Sequence, residues 1–260
     1  MNKYYGKYLK SVTWIPLAAF TFMVSGTPAI AQVENIQPGT LIPLVVVLWQ
    51  NTHFGGMKRE VVIDTPDLGR QHFNDKISAV GVHPGPDFQT WTNANKREPT
   101  VTLFSNAGGF GKSIVLRAGT YSDLKKFGMN DNISSVYFSR SPANALTPDG
   151  TAAPFTSIPF AVVLYTNDGS EMWLVESTKN LSSDYGSYFN DSVVSALVVT
   201  RTVGVAPGAH SIDFCADAFF DRCMAPYTGI SGGGVAQVQL GKFPDGFTLT
   251  KPDLSSVRIQ

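Results

Sequence analysis

Two short polar segments of the chain carry the residue types that bind a hard cation. Residues 74–79 have the sequence NDKISA and residues 130–135 have the sequence NDNISS, so each offers an amide, a carboxylate and a hydroxyl. Ca²⁺ takes six to eight oxygen ligands from such groups and from backbone carbonyls, in flexible geometry. The third position of each segment, Lys76 or Asn132, can be any residue if only its backbone carbonyl binds the ion. The candidate metal ligands are Asn74, Asp75, Lys76, Ser78, Asn130, Asn132, Asp131 and Ser134.

The same residue types also have a purely structural use. Asn, Asp and Ser side chains cap turns and bond the local backbone, and this alone would favour such segments in β loops. Zinc and copper sites need His or Cys clusters, which the sequence lacks, so the segments favour calcium over these metals. A calcium role and a turn-capping role both remain open at this point.

No pattern in the sequence predicts catalysis. Residues 108–113 (GGFGKS) resemble a phosphate-binding loop, but the first glycine of that motif would fall at Asn106, and a strand rather than a helix follows. Neither HExxH nor GxSxG occurs. The histidines are scattered, at His53, His72, His83 and His210. The sequence therefore predicts no catalytic residue.

Composition narrows the class of protein further. The 260 residues include 20 Lys and Arg against 20 Asp and Glu, so the formal net charge is zero, which argues against binding nucleic acid through counterion release. Because 43% of residues are hydrophobic and only 15% are charged, the chain can form a packed core and is not largely disordered. The only long apolar run lies near the start, which excludes a multi-span membrane protein.

That apolar run has the form of an export signal. Lys3, Lys7 and Lys10 precede an apolar stretch over residues 15–24, and Ala29-Ile30-Ala31 offers a small-x-small cleavage site. We predict a signal peptide over residues 1–31 and a secreted or periplasmic mature protein that begins near Gln32. The alternative is a retained membrane anchor.

The cysteines are consistent with export. Cys215 and Cys223 lie in one short segment, and in an oxidising compartment they are expected to close a small loop as a disulfide. A redox or metal-binding pair is the alternative, but no further Cys or nearby His completes such a site.

The rest of the chain alternates short apolar runs with turn residues. The runs are four to nine residues long and rich in β-branched residues, and Gly, Pro, Asn and Asp separate them. This pattern predicts an all-β protein, in agreement with the 24 Gly and 16 Pro of the whole chain. No helix longer than a turn is expected after residue 31, and the segment YSDLKKFG (121–128) is predicted to form one helical turn. Residues 141–157, rich in Pro, Ala, Ser and Thr, read as a linker.

An internal repeat organises these strands. Ser78, Ser134, Val194 and Ser255 fall at equivalent places in four segments, 56 to 61 residues apart. Two repeats in each domain, with four short strands per repeat, suggest paired Greek keys in a β-sandwich. We therefore predict a first domain over residues 43–140 and a second over residues 158–260.

Two motifs together resemble the βγ-crystallin superfamily, specifically its microbial calcium-binding members. One is the hairpin signal of Trp49, Phe54 and Gly56, and the other is the Asn/Asp-Asn/Asp-x-x-Ser/Thr-Ser loop, which residues 130–135 match throughout and residues 74–79 miss only at the end. The resemblance covers about residues 43–260. It implies a fold of two Greek-key β-sandwich domains and Ca²⁺ as the bound ion.

The resemblance also implies how ligands are shared. In the family, the Ser hydroxyl of one loop joins the acidic residue of its partner loop, which here pairs Asp75 with Ser134 and Asp131 with Ser78. In the second domain the pair would be Asp191 with Ser255, whereas Pro252 and Val194 offer no side-chain oxygen. The second domain is thus degenerate and should bind one ion or none.

The hairpin signal weakens after the first repeat. In the second repeat Phe104 and Phe110 match Trp49 and Phe54, but five residues rather than four separate them. In the fourth repeat Phe214 and Phe219 match the same two positions, but Asp221 replaces the glycine. In the third repeat, Ser170 and Met172 stand where an aromatic residue and glycine belong.

The sequence therefore predicts an exported, non-enzymatic calcium-binding protein, stabilised by Ca²⁺ in its first domain. The alternative is a secreted binding module on the same fold, such as an inhibitor of an extracellular enzyme or a toxin-like protein. The segment YTGISGGG (227–234) of the second domain would then be a place for its site. No nucleic acid partner and no stable membrane insertion after signal removal are expected, and the sequence identifies no protein partner.

Overall fold

The computed structural model describes residues 41–138, 144–156, 158, 160–166, 168–190, 192–200, 211–223, 234–239 and 254–260. The predicted export signal, and most of the predicted segment at residues 227–234, lie outside these residues.

The first half of the described chain forms short strands, as the β-branched runs predict. They are β1 (Leu44–Asn51), β2 (Gly55–Val61), β3 (Ala79–Pro84), β4 (Val101–Asn106), β5 (Phe110–Leu116), β6 (Gly119–Tyr121) and β7 (Ser135–Phe138).

The second half repeats this order. Its strands are β8 (Phe160–Thr166), β9 (Glu171–Leu174), β10 (Val193–Thr200), β11 (Ile212–Asp217), β12 (Asp221–Cys223), β13 (Gly234–Gln239) and β14 (Ser256–Ile259). Two α-helices are described, α1 (Phe88–Asn95) and α2 (Leu181–Tyr185). Short 3-10 turns lie at Thr52–Phe54, Leu68–Gln71, Ala107–Gly109, Leu124–Phe127 and Ala218–Phe220.

The sheets show the strand exchange of paired Greek keys. In the first domain the strand orders are β2-β1-β3-β6 and β5-β4-β7, all antiparallel. Strand β6 comes from the second repeat but pairs with β3 of the first, and Thr65 of the first repeat bridges Val136 in β7. The second domain has the equivalent orders β13-β10-β8-β9 and β12-β11-β14, with a bridge from Thr178 to Val257. The predicted fold of two Greek-key domains is confirmed.

Each domain encloses its own apolar core between its two sheets. In the first domain the core joins Leu44, Val46 and Leu48 of β1 to residues of the opposite sheet such as Leu103 and Val136. A second core joins the sheets of the second domain in the same way, for example Val162 with Phe214. The alternation along β1 follows the two-residue period of a strand, so Val45 and Val47 point away from this core.

These outward residues pack between the two domains. Val45, Val47 and Val62 of the first domain form a buried cluster with Val163 and Trp173 of the second. Burying aliphatic side chains of this size contributes about 1.5–3 kcal/mol each when they are fully removed from water. The two domains therefore share an apolar interface.

A buried carboxylate also crosses the interface. Glu60 in β2 has no exposed surface, and its two oxygens accept hydrogen bonds from the backbone N of Val175, at 2.8 Å, and from the Tyr185 hydroxyl, at 2.7 Å. Lys58 lies 3.0 Å from Glu60 and also pairs with Glu176 of the second domain. Burial raises the pKa of Glu60 above its ordinary value.

Helix α1 corrects the expectation that no helix longer than a turn follows residue 31. It spans eight residues between the two repeats of the first domain. Phe88 packs against the first core, while most of the remaining helix is polar and exposed. A helix with so few apolar residues leaves little periodic signal in the sequence. The predicted helical turn within residues 121–128 is present as the 3-10 turn Leu124–Phe127.

The described part of the predicted linker lies along the first domain. Leu146 bridges Leu116 in β5, Gly150 bridges Thr120 in β6, and the Ser122 hydroxyl donates to Asp149 at 2.8 Å. Tyr121 also donates to the Leu146 carbonyl. We call residues 144–150 the strap.

Cys215 and Cys223 form the predicted disulfide, which joins directly opposed residues of β11 and β12. The pairing of β11 with β14 shows that Cys215, rather than Phe214, is the residue equivalent to Trp49. Cys215 lies opposite Ser256, as Phe104 lies opposite Ser135, so the cysteine occupies the hairpin aromatic position of its repeat.

The alignment of Phe110 with Phe54 is also corrected. Asn106 pairs with Phe110 as Asn51 pairs with Gly55, so Gly109 occupies the position of Phe54. A β-carbon on Gly109 would lie 2.9 Å from the Tyr137 ring, which fills the space of the missing aromatic residue. Phe110 is consequently 70% exposed.

Candidate metal centres of the first domain

The first candidate centre joins oxygens from both repeats. The Ser134 hydroxyl donates to the Ser105 carbonyl at 2.8 Å and lies 3.4 Å from Oδ1 of Asp75. Three oxygens, from a hydroxyl, a carbonyl and a carboxylate, thus converge from separate parts of the chain. This is the type of donor set that a hard cation takes.

The second candidate centre repeats the arrangement with the roles exchanged. The Ser78 hydroxyl donates to Oδ1 of Asp131 at 3.0 Å. The structure therefore brings together both Asp–Ser pairs that the resemblance implies, although each acid and its serine lie more than 50 residues apart in the sequence.

Reciprocal backbone bonds hold the two loops together. Asp75 N donates to the Ile133 carbonyl and Asp131 N donates to the Ile77 carbonyl, both at 3.0 Å. Both aspartates have left-handed backbone conformations, with φ of 53° at Asp75 and 49° at Asp131. Asp is one of the few residues besides glycine that visit this region. The turn exposes both aspartates on the surface, where an ion can reach them.

The flanking predicted ligands lie at the edge of these pairs. Asn74 Nδ2 donates to Oδ2 of Asp75 at 2.6 Å, and Asn130 makes the same contact with Asp131 at 2.5 Å. Lys76 is exposed, and its ammonium donates to the His72 carbonyl at 3.0 Å. Asn132 is exposed. Any contribution of Lys76 to a metal is therefore limited to its backbone carbonyl, since its side chain is a cation.

A second lysine supports the second loop. The Lys112 ammonium donates to the carbonyls of Phe127, at 2.9 Å, and Gly128, at 3.2 Å. These carbonyls end the 3-10 turn that precedes Met129 and Asn130. A positive charge at the carbonyl end of a helical turn is favourable. Lys112 thus fixes the entry to the second loop and ties it to the β4–β5 hairpin.

The donor chemistry fits calcium better than softer metals. No group of three His, Cys, Asp or Glu side chains that could hold an ion is found in the described ranges. Each candidate centre instead combines one carboxylate with neutral oxygens. Residues Asp75, Ser134 and Ser105 would hold one ion, and Asp131 with Ser78 would hold the other.

The second domain is described only in part at the equivalent positions. Ser255 is buried, and its N donates to the Cys215 carbonyl at 3.0 Å, as Ser134 N donates to Phe104. This equivalence supports the alignment of the repeats. Asp191, the predicted partner of Ser255, lies outside the described residues. Val194 takes the place of Ser78 in its loop and brings no side-chain oxygen.

The sequence did not indicate the carbonyl donor that comes from outside the two loops. Ser105 enters the first centre through its backbone oxygen, and Ser135 donates to the adjacent Asn106 carbonyl at 2.7 Å. Backbone carbonyls carry no residue signature, so only the register of the β4 hairpin against the loop reveals them.

In the described part of the chain, no helix has the length and hydropathy needed to cross a membrane.

Comparison with known proteins identifies the family. No family model matches the chain. A curated βγ-crystallin of Ciona intestinalis is 32% identical over 92 residues, which cover 35% of this chain and 93% of that protein. The solved βγ-crystallin from Ciona intestinalis is 29% identical, covers 36% of this chain and 96% of its own, and has a TM-score of 0.29. A solved archaeal βγ-crystallin is 25% identical, and the match covers 36% of this chain and 95% of the archaeal chain. Its TM-score is also 0.29. These TM-scores are low, so the assignment rests on the curated relative: the chain belongs to the βγ-crystallin family.

Proposed function

We propose that the protein is an exported, non-enzymatic calcium-binding protein whose first domain is stabilised by the ion. The observation that carries the proposal is the reciprocal pairing of Asp75 with Ser134 and of Asp131 with Ser78. Each pair presents a carboxylate and a hydroxyl at an exposed loop, with the Ser105 carbonyl beside the first. Calcium accepts such oxygen ligands in irregular geometry.

Stabilisation follows if the ion binds only the folded domain. Each site combines residues of two repeats, so the unfolded chain cannot hold the ligands together. A ligand at a hundred times its dissociation constant then stabilises the fold by about 2.7 kcal/mol. For a domain of this size such a gain raises the melting temperature by roughly 10–20 °C.

Thermal unfolding of the purified protein tests this proposal. The melting temperature is measured in millimolar Ca²⁺ and in chelator, for the wild type and for a variant with both Asp75→Asn and Asp131→Asn. The wild type should gain stability from calcium and the variant should not. Equal melting temperatures for the wild type in the two conditions would contradict the proposal.

Export has separate support. The first 31 residues have the charge and hydropathy pattern of a signal peptide, and the Cys215–Cys223 disulfide is of a kind that persists in oxidising compartments. Intact-mass measurement of protein exported by a bacterial host tests the proposal. The mass should correspond to a chain that begins near Gln32, and a mass that includes residues 1–31 would contradict it.

A further inference from the structure

The loop of the first candidate centre begins at a contact between the two domains. The His72 ring lies against the Tyr188 ring, with 3.6 Å between centroids, and His72 Nε2 is 2.8 Å from the Ser170 hydroxyl. His72 directly precedes Phe73 and Asn74. The segment that presents Asp75 is therefore held at its start by residues of the second domain.

The second-domain side of this contact is itself fixed. Tyr188 donates its hydroxyl hydrogen to Asp168, whose other oxygen accepts from Ser170 N at 3.1 Å. Hydrogen bonds from Thr166 and Tyr188 hold the pKa of Asp168 well below its usual range, so this acceptor stays ionised. Tyr188 and Ser170 thus form a preorganised surface for His72.

Arg59 holds the same segment from the other side. Its guanidinium is 4.8 Å from the Phe73 ring of the first domain and 5.0 Å from the Phe189 ring of the second. Arg59 Nε also donates to the Gln71 carbonyl at 3.0 Å. The side chain is almost fully buried, so the cation packs between aromatic rings of both domains. Residues 71–73 are clamped on two sides at the domain boundary.

The backbone at His72 differs from its counterpart in the second loop. His72 and Gly128 both end a 3-10 turn in the left-handed region, with φ of 53° and 63°. Glycine adopts this conformation freely, whereas residues with a β-carbon adopt it less often, Asn, Asp and His more readily than the others. The first loop therefore carries a histidine at a place that favours glycine, and the ring of that histidine contacts the second domain.

Among the described residues, no such connection to the second domain is found for the second loop. The hydrogen bonds described for Met129 to Ser134 all join residues of the first domain, such as Ile77 and Ser105. The two centres have equivalent ligands but different support. This difference makes the role of the second domain testable within one molecule.

We infer that His72 is a positioning residue of the first centre, through which Tyr188 and Ser170 of the second domain set the geometry of the Asp75 loop. Ion binding at Asp75 and docking of the two domains then strengthen each other, because coupling between two sites is reciprocal. The Asp131 centre is independent of this contact. The inference rests on the proposed function, since it concerns the same calcium sites.

Calcium titration calorimetry on the whole protein tests the inference. In the Asp131→Asn background the first centre is the remaining centre of the first domain, and in the Asp75→Asn background the second centre is. The double variant gives the signal of any ion bound by the second domain. Tyr188→Ala should weaken calcium binding about fivefold or more at the first centre, the lower end of typical couplings, and leave the second unchanged. Tyr188→Phe keeps the ring contact and loses only the hydroxyl that bonds Asp168, so it should weaken the first centre less than Tyr188→Ala does.

Two further variants guard against general effects. Phe219→Ala removes a 73%-exposed aromatic side chain from the same domain and should change neither centre. His72→Gly eases the backbone but removes the ring, so it should weaken the first centre as Tyr188→Ala does. If His72 acted only through its backbone conformation, His72→Gly would instead leave the calcium affinity of the first centre unchanged or raise it.

The outcomes separate the two proposals. If the wild type binds calcium and Tyr188→Ala leaves the affinity of the first centre unchanged, this inference alone is overturned. An equal loss at both centres would also overturn it, because it would indicate general loosening. If neither background binds calcium, the proposed function fails and the inference fails with it. Ser170→Ala gives a second probe of the contact if Tyr188→Ala folds poorly.

Discussion

Each candidate centre has a single carboxylate, and this limits how tightly it can hold an ion. Calcium affinity rises with the charge and number of ligands and with the rigidity of the site. Asp75 and Asp131 supply the charge, and their left-handed backbone turns both carboxylates toward a serine of the other repeat. Neutral oxygens must supply the rest, so removal of one hydroxyl should have a measurable effect.

The cross-repeat pairing predicts which serine serves which ion. Ser134→Ala should weaken the ion bound by Asp75 by roughly 1 kcal/mol, about fivefold, and Ser78→Ala should do the same for the ion bound by Asp131. Calorimetric titration of Ser134→Ala in the two Asp→Asn backgrounds measures this selectivity. Ser113→Ala, at an exposed serine of β5, is the matched control. If Ser134→Ala weakened only the Asp131 centre, the assignment of ligands would be wrong.

We expect Glu60 to make the stability of the protein depend on pH. Burial raises its pKa in the native state, so the native state binds this proton more tightly than the unfolded chain. The contribution of Glu60 to stability is therefore greatest below its unfolded pKa of about 4.3 and declines as pH rises through the raised native pKa. Glu60→Gln cannot titrate and should lose this dependence.

Urea unfolding between about pH 4 and pH 8 measures the effect. The free energy of unfolding of wild type minus that of Glu60→Gln should fall as pH rises. Glu98→Gln, at an exposed glutamate, controls for loss of a carboxylate. A difference that rises with pH would show that the interactions with Lys58 and Tyr185 outweigh burial.

At the scale of elements, the packing of the strap against β6 depends on the absence of a side chain at Gly119. Gly119 in β6 has φ of 145°, and a β-carbon there would lie 2.6 Å from Cγ of Pro148 and 2.9 Å from the Gly150 carbonyl. Gly119→Ala should therefore displace the strap or strain β6, at a cost of about 1–3 kcal/mol.

Urea unfolding and proteolysis of the strap measure this change together. Gly55→Ala is the control, because a β-carbon at Gly55 meets its nearest atoms at 3.6 Å or more and the backbone there is extended. Equal stability of the two alanine variants would show that the strap does not pack against β6.

The disulfide is an element-scale constraint on the β11–β12 hairpin. It closes a short loop, and the chain-entropy model gives such a bridge about 2–3 kcal/mol. Reduction should therefore loosen β11, β12 and the adjacent β14 and leave the first domain protected. Amide hydrogen exchange before and after reduction measures the change. Equal loss of protection in β4 and β11 would contradict a local role.

The sequence predicted elements well where period and composition carry the signal. Runs such as residues 160–166 and 193–200 became strands because their β-branched residues suit a pleated surface. Helix α1 was missed because Phe88 and Trp91 are its only large apolar residues. The hairpin register was wrong at Phe110 because Tyr137, distant in sequence, fills the space that an aromatic residue occupies in the first repeat.

The candidate site was predictable only in part. The loop motif and the family resemblance together named Asp75, Asp131 and their serine partners. The Ser105 carbonyl and the His72 contact depend on tertiary register and on the second domain, which no local pattern encodes. Arg59 and Glu60 would ordinarily be expected at the surface, and only the domain interface explains their burial.

At the scale of the whole molecule, the two domains form one structural unit. Apolar residues of β1, together with Val62 just after β2, pack on β8 and β9. Glu60 and Arg59 place charges of the first domain among groups of the second. Separation of the domains would expose the apolar cluster and break the Glu60 hydrogen bonds. The same interface includes the start of the Asp75 loop, so the proposed ion site adjoins the packing between the domains.

Calorimetric counting of calcium ions tests the central claim most directly. We expect two ions bound by the first domain in the whole protein and at most one more by the second. Asp75→Asn and Asp131→Asn should each remove one ion, and the double variant should remove both first-domain ions. Two results would contradict this claim. One is a wild type that binds no calcium, and the other is a double variant that binds as many ions as the wild type.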